Sequence, residues 1–331
     1  KELTKKGMYQ WRNLRAIKVI KKIAVFFALV CLLLGSIIFI MPNSSDKIAS
    51  FFYRELLYNR LADLHGAGDS EEEVVINLFE YVAKNLTTMP DHNLVDRNAF
   101  TDIIRGIAWC DQQAFVLMNL LSKAGINESR LRDVQAHTYS EVFIGEKWVI
   151  VDPYAGFLPV SKNNVLLGID DLESVDIAGS FLEKIRPPTG SQGAVTNFKE
   201  TFKSIYIENE ARWPKGIGLN FKRYRAYNFD RNVIMYLADS FYYLFGSSYF
   251  NWVQDVYLSS EKVENMDDQG GNWVKNYNEN FKEDNAAFQL YYKARNLEVA
   301  DRKELADLHY RNIVLLFPDS YWALVANTRM L

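Results

Sequence analysis

Cys110, His137 and Asp152 are the residues of this chain whose types and order fit one chemistry. A thiol, an imidazole and a carboxylate supply a nucleophile, the base that takes its proton and the group that fixes the tautomer of that base. Cys110 opens an expected helix after Gly106-Ile107-Ala108-Trp109, which sets its sulfur near unpaired backbone N–H groups and the positive end of the helix dipole. Both features favour thiolate over thiol, whereas a carboxylate at Asp111 opposes it unless that side chain points away. Alone, a cysteine is usually an inert small apolar side chain, so Cys110 gains its weight from its partners. His137 heads an expected strand, with Tyr139 and Glu141 on the same face by alternation. Asp152 ends the next strand, Trp148-Val149-Ile150-Val151, and an antiparallel hairpin brings it level with His137 or one pair away.

Other chemistries are poorly served. His65, His92 and His309 lack partners at metal-ligand spacing, and no loop resembles an EF-hand, so no metal is expected. Gly216-Ile217-Gly218 is a short turn with no helix start behind it, which removes a phosphate loop. The thiol chemistry itself requires no cofactor. Of the 38 Lys/Arg and 41 Asp/Glu, residues 1–22 hold eight of the bases and one acid, leaving a balance of −10 beyond residue 22. That remainder has no basic stripe, so nucleic acid is not an expected partner.

The elements that must position these residues follow from local signals. Asp46 to Leu64 and Ser70 to Leu86 read as helices, the second with Ser70 as N-cap and three glutamates in its first turn. Met89 to Ala108 reads as a loop, and Cys110 to Ala124 as a helix with Ala114, Leu117, Met118 and Leu121 on one face. Strands are expected over Leu131–Ala136, Thr138–Ile144 and Lys147–Val151, the last two joined at Gly145-Glu146. Residues 154–184 either continue the sheet or fold over it, and Ile185 to Asn197 has the composition of a linker. From Asn228 the chain is helical and aromatic, and its Phe317-Pro318-Asp319-Ser320 turn looks like that of a tetratricopeptide-type hairpin. Three copies of a repeat are not found, so a small helical bundle is expected. The aromatic residues between Tyr236 and Trp252 read as packing, with a carbohydrate or partner surface as the alternative.

Ile23 to Met41 is a run of nineteen residues without a charge. At 1.5 Å of rise per residue it about spans a ~30 Å hydrocarbon core, and it exceeds the ~7–15 residues of a signal-peptide core. It ends without an Ala-x-Ala-like site. The preceding basic run places the N-terminus in the cytoplasm and the main domains outside, in the periplasm or beyond. Cys31 and Cys110 are the only cysteines, which excludes a disulfide framework. The 49% apolar and 14% aromatic content excludes a disordered chain.

Three stretches together resemble the transglutaminase-like superfamily: Trp109-Cys110-Asp111-Gln112-Gln113-Ala114 opening a helix that ends at Gly125, then His137 to Val142, then Trp148 to Pro153. The resemblance covers about Glu71 to Tyr154 and is silent on the C-terminal helices. It implies Cys110 as nucleophile, His137 as general acid/base and Asp152 as the residue orienting His137. It also places Tyr139 and Glu141 where the family tends to carry an aromatic residue and an acid. Some members have Gln before the nucleophile where this chain has Trp109, so the second oxyanion donor does not transfer; the Cys110 N–H contributes, and the Trp109 indole is either a further donor or a core wall.

The expected class is α+β: a basic tail over 1–22, a transmembrane helix over 23–41, a transglutaminase-like helix-plus-antiparallel-sheet domain over 42–190, a linker over 191–228 and a helical domain over 229–331. The expected function is a membrane-anchored thiol enzyme acting on amide or peptide bonds of a protein or peptide substrate outside the membrane. The alternative is a catalytically silent scaffold of the same fold that holds a partner protein in a membrane or envelope complex.

Overall fold

The computed structural model describes residues 40–44, 46–86, 103–104, 106, 108, 110–134, 137–161, 163, 165–172, 177–180, 233–259 and 285–330, with isolated positions between 25 and 36. Helix α1 (Asp46–His65) runs through a short turn into α2 (Glu71–Asn85). The start of α2 is fixed reciprocally: the Ser70 hydroxyl accepts from the Glu73 N–H at 3.2 Å, and the Glu73 carboxylate accepts from the Asp69 N–H at 2.7 Å. Val75, Leu78, Phe79 and Val82 are buried against the rest.

Helix α3 (Cys110–Lys123) is buried nearly all round, from Gln112 to Leu117 and again at Leu120 and Leu121. Covered on most sides, it lies inside the fold with Gln112 and Gln113 among its buried residues. It packs between α1 and α2 and a three-stranded antiparallel sheet of β1 (Ser129–Val134), β2 (His137–Ile144) and β3 (Lys147–Val151), ordered β1-β2-β3. Gly145 (φ 56°) and Glu146 (φ 70°) both adopt positive φ, the mirror-image turn whose twist matches the strands it joins. Beyond β3 come β4 (Pro159–Ser161), the short helix α4 (Ile169–Leu172) and β5 (Ile177–Ser180), with β4 and β5 forming a separate two-stranded ribbon.

Helix α5 (Val233–Ser259) kinks at Gly246 (φ 62°) and lies along α1. Tyr53 stacks on Tyr257 at 4.3 Å, and Phe52 meets Phe241 edge-on at 6.2 Å. Helices α6 (Asn285–Val299), α7 (Lys303–Leu316) and α8 (Tyr321–Asn327) complete the bundle, with Ser320 capping α8 after the Phe317–Asp319 turn. One buried cluster runs from Phe52 through α2, α3 and the sheet to Tyr310 and Trp322.

Two expectations are corrected. The described residues are mostly helical with a small three-stranded sheet, not the α+β class expected. Among the described residues past β3, the strands gain only isolated bridges and the β4–β5 ribbon, while α5 to α8 share the core of the first helices. Nor does the spanning helix expected over Ile23–Met41 emerge, for among the described residues no helix is long and apolar enough to cross a membrane. The longest, α5 with 27 residues, is interrupted by Asp239, Asn251, Gln254 and Asp255 and bent at Gly246. The single-pass topology with periplasmic main domains is therefore not supported. About half of Ile23–Met41, the tail over 1–22 and the linker over 191–228 lie outside the described residues.

Candidate active site

Cys110 is the first residue of α3 and His137 the first of β2, so each lies at an end where a side chain can reach past its own element. The register Ser140↔Val151 carried one step further sets Asp152 opposite Tyr139, one same-face step from His137. His137 Nε2 lies 2.5 Å from Asp152 Oδ2. The Cys110 thiol lies close enough to the ring to act on its proton. With Nε2 turned to the carboxylate, Nδ1 is the nitrogen left for the sulfur. The fold thus gathers the three residues selected from sequence around the His137 ring.

Each member is held by its backbone surroundings. Asp152 is fully buried, its Oδ1 accepts the Ala155 N–H at 3.0 Å, and its main chain pairs with Phe157 through two hydrogen bonds of 2.9 and 2.8 Å. Ser140 donates from Oγ to the Ala114 carbonyl at 3.1 Å, pinning β2 to the second turn of α3. Gln113 donates from Nε2 to the Ala108 carbonyl at 3.1 Å, tying that first turn to the chain just before it. Cys110 itself is half-buried. As the first helical residue, it has an N–H without an intrahelical acceptor.

Burial works against a charged imidazole at His137. The Asp152 carboxylate, by charge and by hydrogen bond, and then the Cys110 thiol outweigh it and raise the His137 pKa to about 10. The ring is thereby held as an imidazolium beside a sulfur and a carboxylate, an arrangement suited to holding or giving a proton.

Tyr139 lies nearly parallel to His137 with centroids 6.4 Å apart. Glu141 turns to Arg130 Nε at 2.6 Å and Arg132 Nε at 3.5 Å. Tyr154 escaped the sequence reading; its ring tilts against His137 at 5.5 Å. Its pKa is raised, first by burial and then by the charges of Cys110 and Asp152. The signal available was its place two residues after Asp152. Trp109, the candidate for a second oxyanion donor, lies outside the described residues, as does His92. His65 stacks on Tyr81 at 4.1 Å. Among the described residues no group of three or more His, Cys, Asp or Glu is placed to hold a metal ion.

A groove of about 890 Å³ opens at the far end of α3, lined by Asn59, Lys123, Tyr236, Asp239 and Tyr243 among others. Lys123 there bridges Glu55 at 2.8 Å and Asp239 at 2.5 Å. None of Cys110, His137 and Asp152 lines this groove. Comparison of the chain with protein families, curated proteins and solved structures finds no match.

Proposed function

We propose that this chain is a transglutaminase-like thiol enzyme acting on carboxamide or peptide bonds of a protein or peptide substrate. The observation that carries the reading is the placement of His137 between the Asp152 carboxylate and the Cys110 thiol. The Cys110 thiolate attacks the carbonyl carbon, forming a C–S bond and a tetrahedral oxyanion that the Cys110 N–H faces at the helix start. Collapse breaks the C–N bond; ammonia or an amine leaves with the proton held by His137, and a thioester remains. Water or an amine then gives its proton to His137 and attacks the thioester, releasing the thiolate and an acid or a new amide. Asp152 keeps the ring oriented through both halves.

Iodoacetamide labelling at neutral pH, followed by mass spectrometry of the Cys110 peptide apart from that of Cys31, tests the reading. Folded protein is expected to be labelled at Cys110, and His137→Ala or Asp152→Asn to slow ammonia release from glutamine-containing peptides by about 10²–10⁴-fold. A Cys110 that reacts only after unfolding overturns the proposal. A second reading, a non-reactive scaffold that holds a partner, draws on the exposed α5 residues Tyr243 (89%), Leu244 and Phe245. Under it, Cys110→Ser leaves the biological phenotype unchanged.

A further inference from the structure

We infer that Arg295, on a C-terminal helix far from the triad in sequence, is a positioning residue for Cys110, setting the backbone that delivers the thiol and its N–H. The inference rests on the reading of Cys110 as nucleophile. Arg295 is 1% exposed and aims its guanidinium at main chain rather than solvent. Its Nε donates to the Ile104 carbonyl at 3.0 Å and its Nη2 to the Ile103 carbonyl at 3.3 Å. These carbonyls belong to the helical residues just before Gly106, Ala108 and the start of α3.

The fork is itself fixed. Nη1 of Arg295 donates to Glu298 at 2.6 Å, while Glu298 also accepts from Arg329 at 3.2 Å and from the Tyr310 hydroxyl. Burial would raise the Glu298 pKa, but Arg295, Arg329 and Tyr310 hold it below the ordinary carboxylate range, so it stays charged. Gly106 sits against this cluster with φ 73°, and a Cβ there would lie 3.4 Å from Arg329 Nη2 and 3.6 Å from Arg295 Nη2. A planar guanidinium can satisfy two successive carbonyls and a carboxylate together; a lysine ammonium lacks that fixed fork. With Gln113 gripping the Ala108 carbonyl from the other side, the approach to Cys110 is held at two points.

The test uses two reagents on the full chain. Iodoacetamide alkylates sulfur by displacing iodide at a saturated carbon, with no oxyanion. p-Nitrophenyl acetate transfers its acetyl group to sulfur through a tetrahedral oxyanion, releasing p-nitrophenolate. Arg295→Lys is expected to slow the acetylation burst about tenfold or more while alkylation of Cys110 changes less than about twofold, with Cys110→Ser as the blank. If Arg295→Lys does not fold, Glu298→Gln, which loosens the same fork, is expected to give the same split at about threefold. Unchanged rates overturn the inference, as does a parallel fall of both, which marks Arg295 as a general strut. If wild-type protein reacts with neither reagent, the thiol-enzyme reading fails first and takes this one with it.

Discussion

At the scale of single residues, the proton balance of His137 is the property most open to measurement. The group has an ordinary pKa of 6.5 and one of about 10 in the folded chain. Between those values the folded state holds a proton that the unfolded state has lost, so stability present below pH 6.5 drains as pH rises toward 10. Denaturant unfolding at pH 6.5, 8 and 9.5 is expected to show a loss of order 1 kcal/mol per pH unit in wild type, absent in His137→Gln. Equal slopes in the two proteins would show that the imidazole does not carry the proton. Cys110 and His137 could be placed from sequence because each opens an element, the helix α3 and the strand β2, at a boundary that local signals mark. Tyr154 could not, since a tyrosine two residues after a strand has many uses and only the fold shows which ring it meets.

At the scale of elements, the seam between α3 and β2 sets the distance from thiol to imidazole, and the Ser140 hydroxyl closes it on the Ala114 carbonyl. Ser140→Ala is expected to cost about 1 kcal/mol in thermal or denaturant unfolding, since the carbonyl loses a buried partner. A neutral substitution would show that packing alone sets the seam. Local signals located these elements well: the Ser70–Glu73 cap starts α2, and Gly145-Glu146 turns the hairpin with both residues at positive φ. Long-range consequences were beyond such signals. The apolar run before Met41 satisfied composition and length, yet a spanning helix is absent among the described residues. The class was misjudged because strand pattern says where strands lie and not how small a share of the fold they form.

At the scale of the whole molecule, the C-terminal helices complete the core of the first ones. The Tyr53 hydroxyl on α1 donates to Asn296 Oδ1 on α6 at 3.0 Å and accepts from Gln254 on α5 at 3.0 Å, all three buried. Phe52 and Tyr53 would both be stripped by removal of α5. A chain ending at residue 228 is therefore expected to lose its cooperative unfolding transition and its near-UV circular dichroism. Retention of a sharp transition would mean that the first 228 residues fold alone.

Among the described residues β1 is the terminal strand in the order β1-β2-β3, and a terminal strand can offer its outer amides to an extended segment. Arg130 and Arg132 stand on it, anchored to Glu141, and Arg130 also caps the Trp148 ring at 3.9 Å. Arginines on a short terminal strand oppose strand addition, so they work against cross-β association of the hairpin that carries the imidazole.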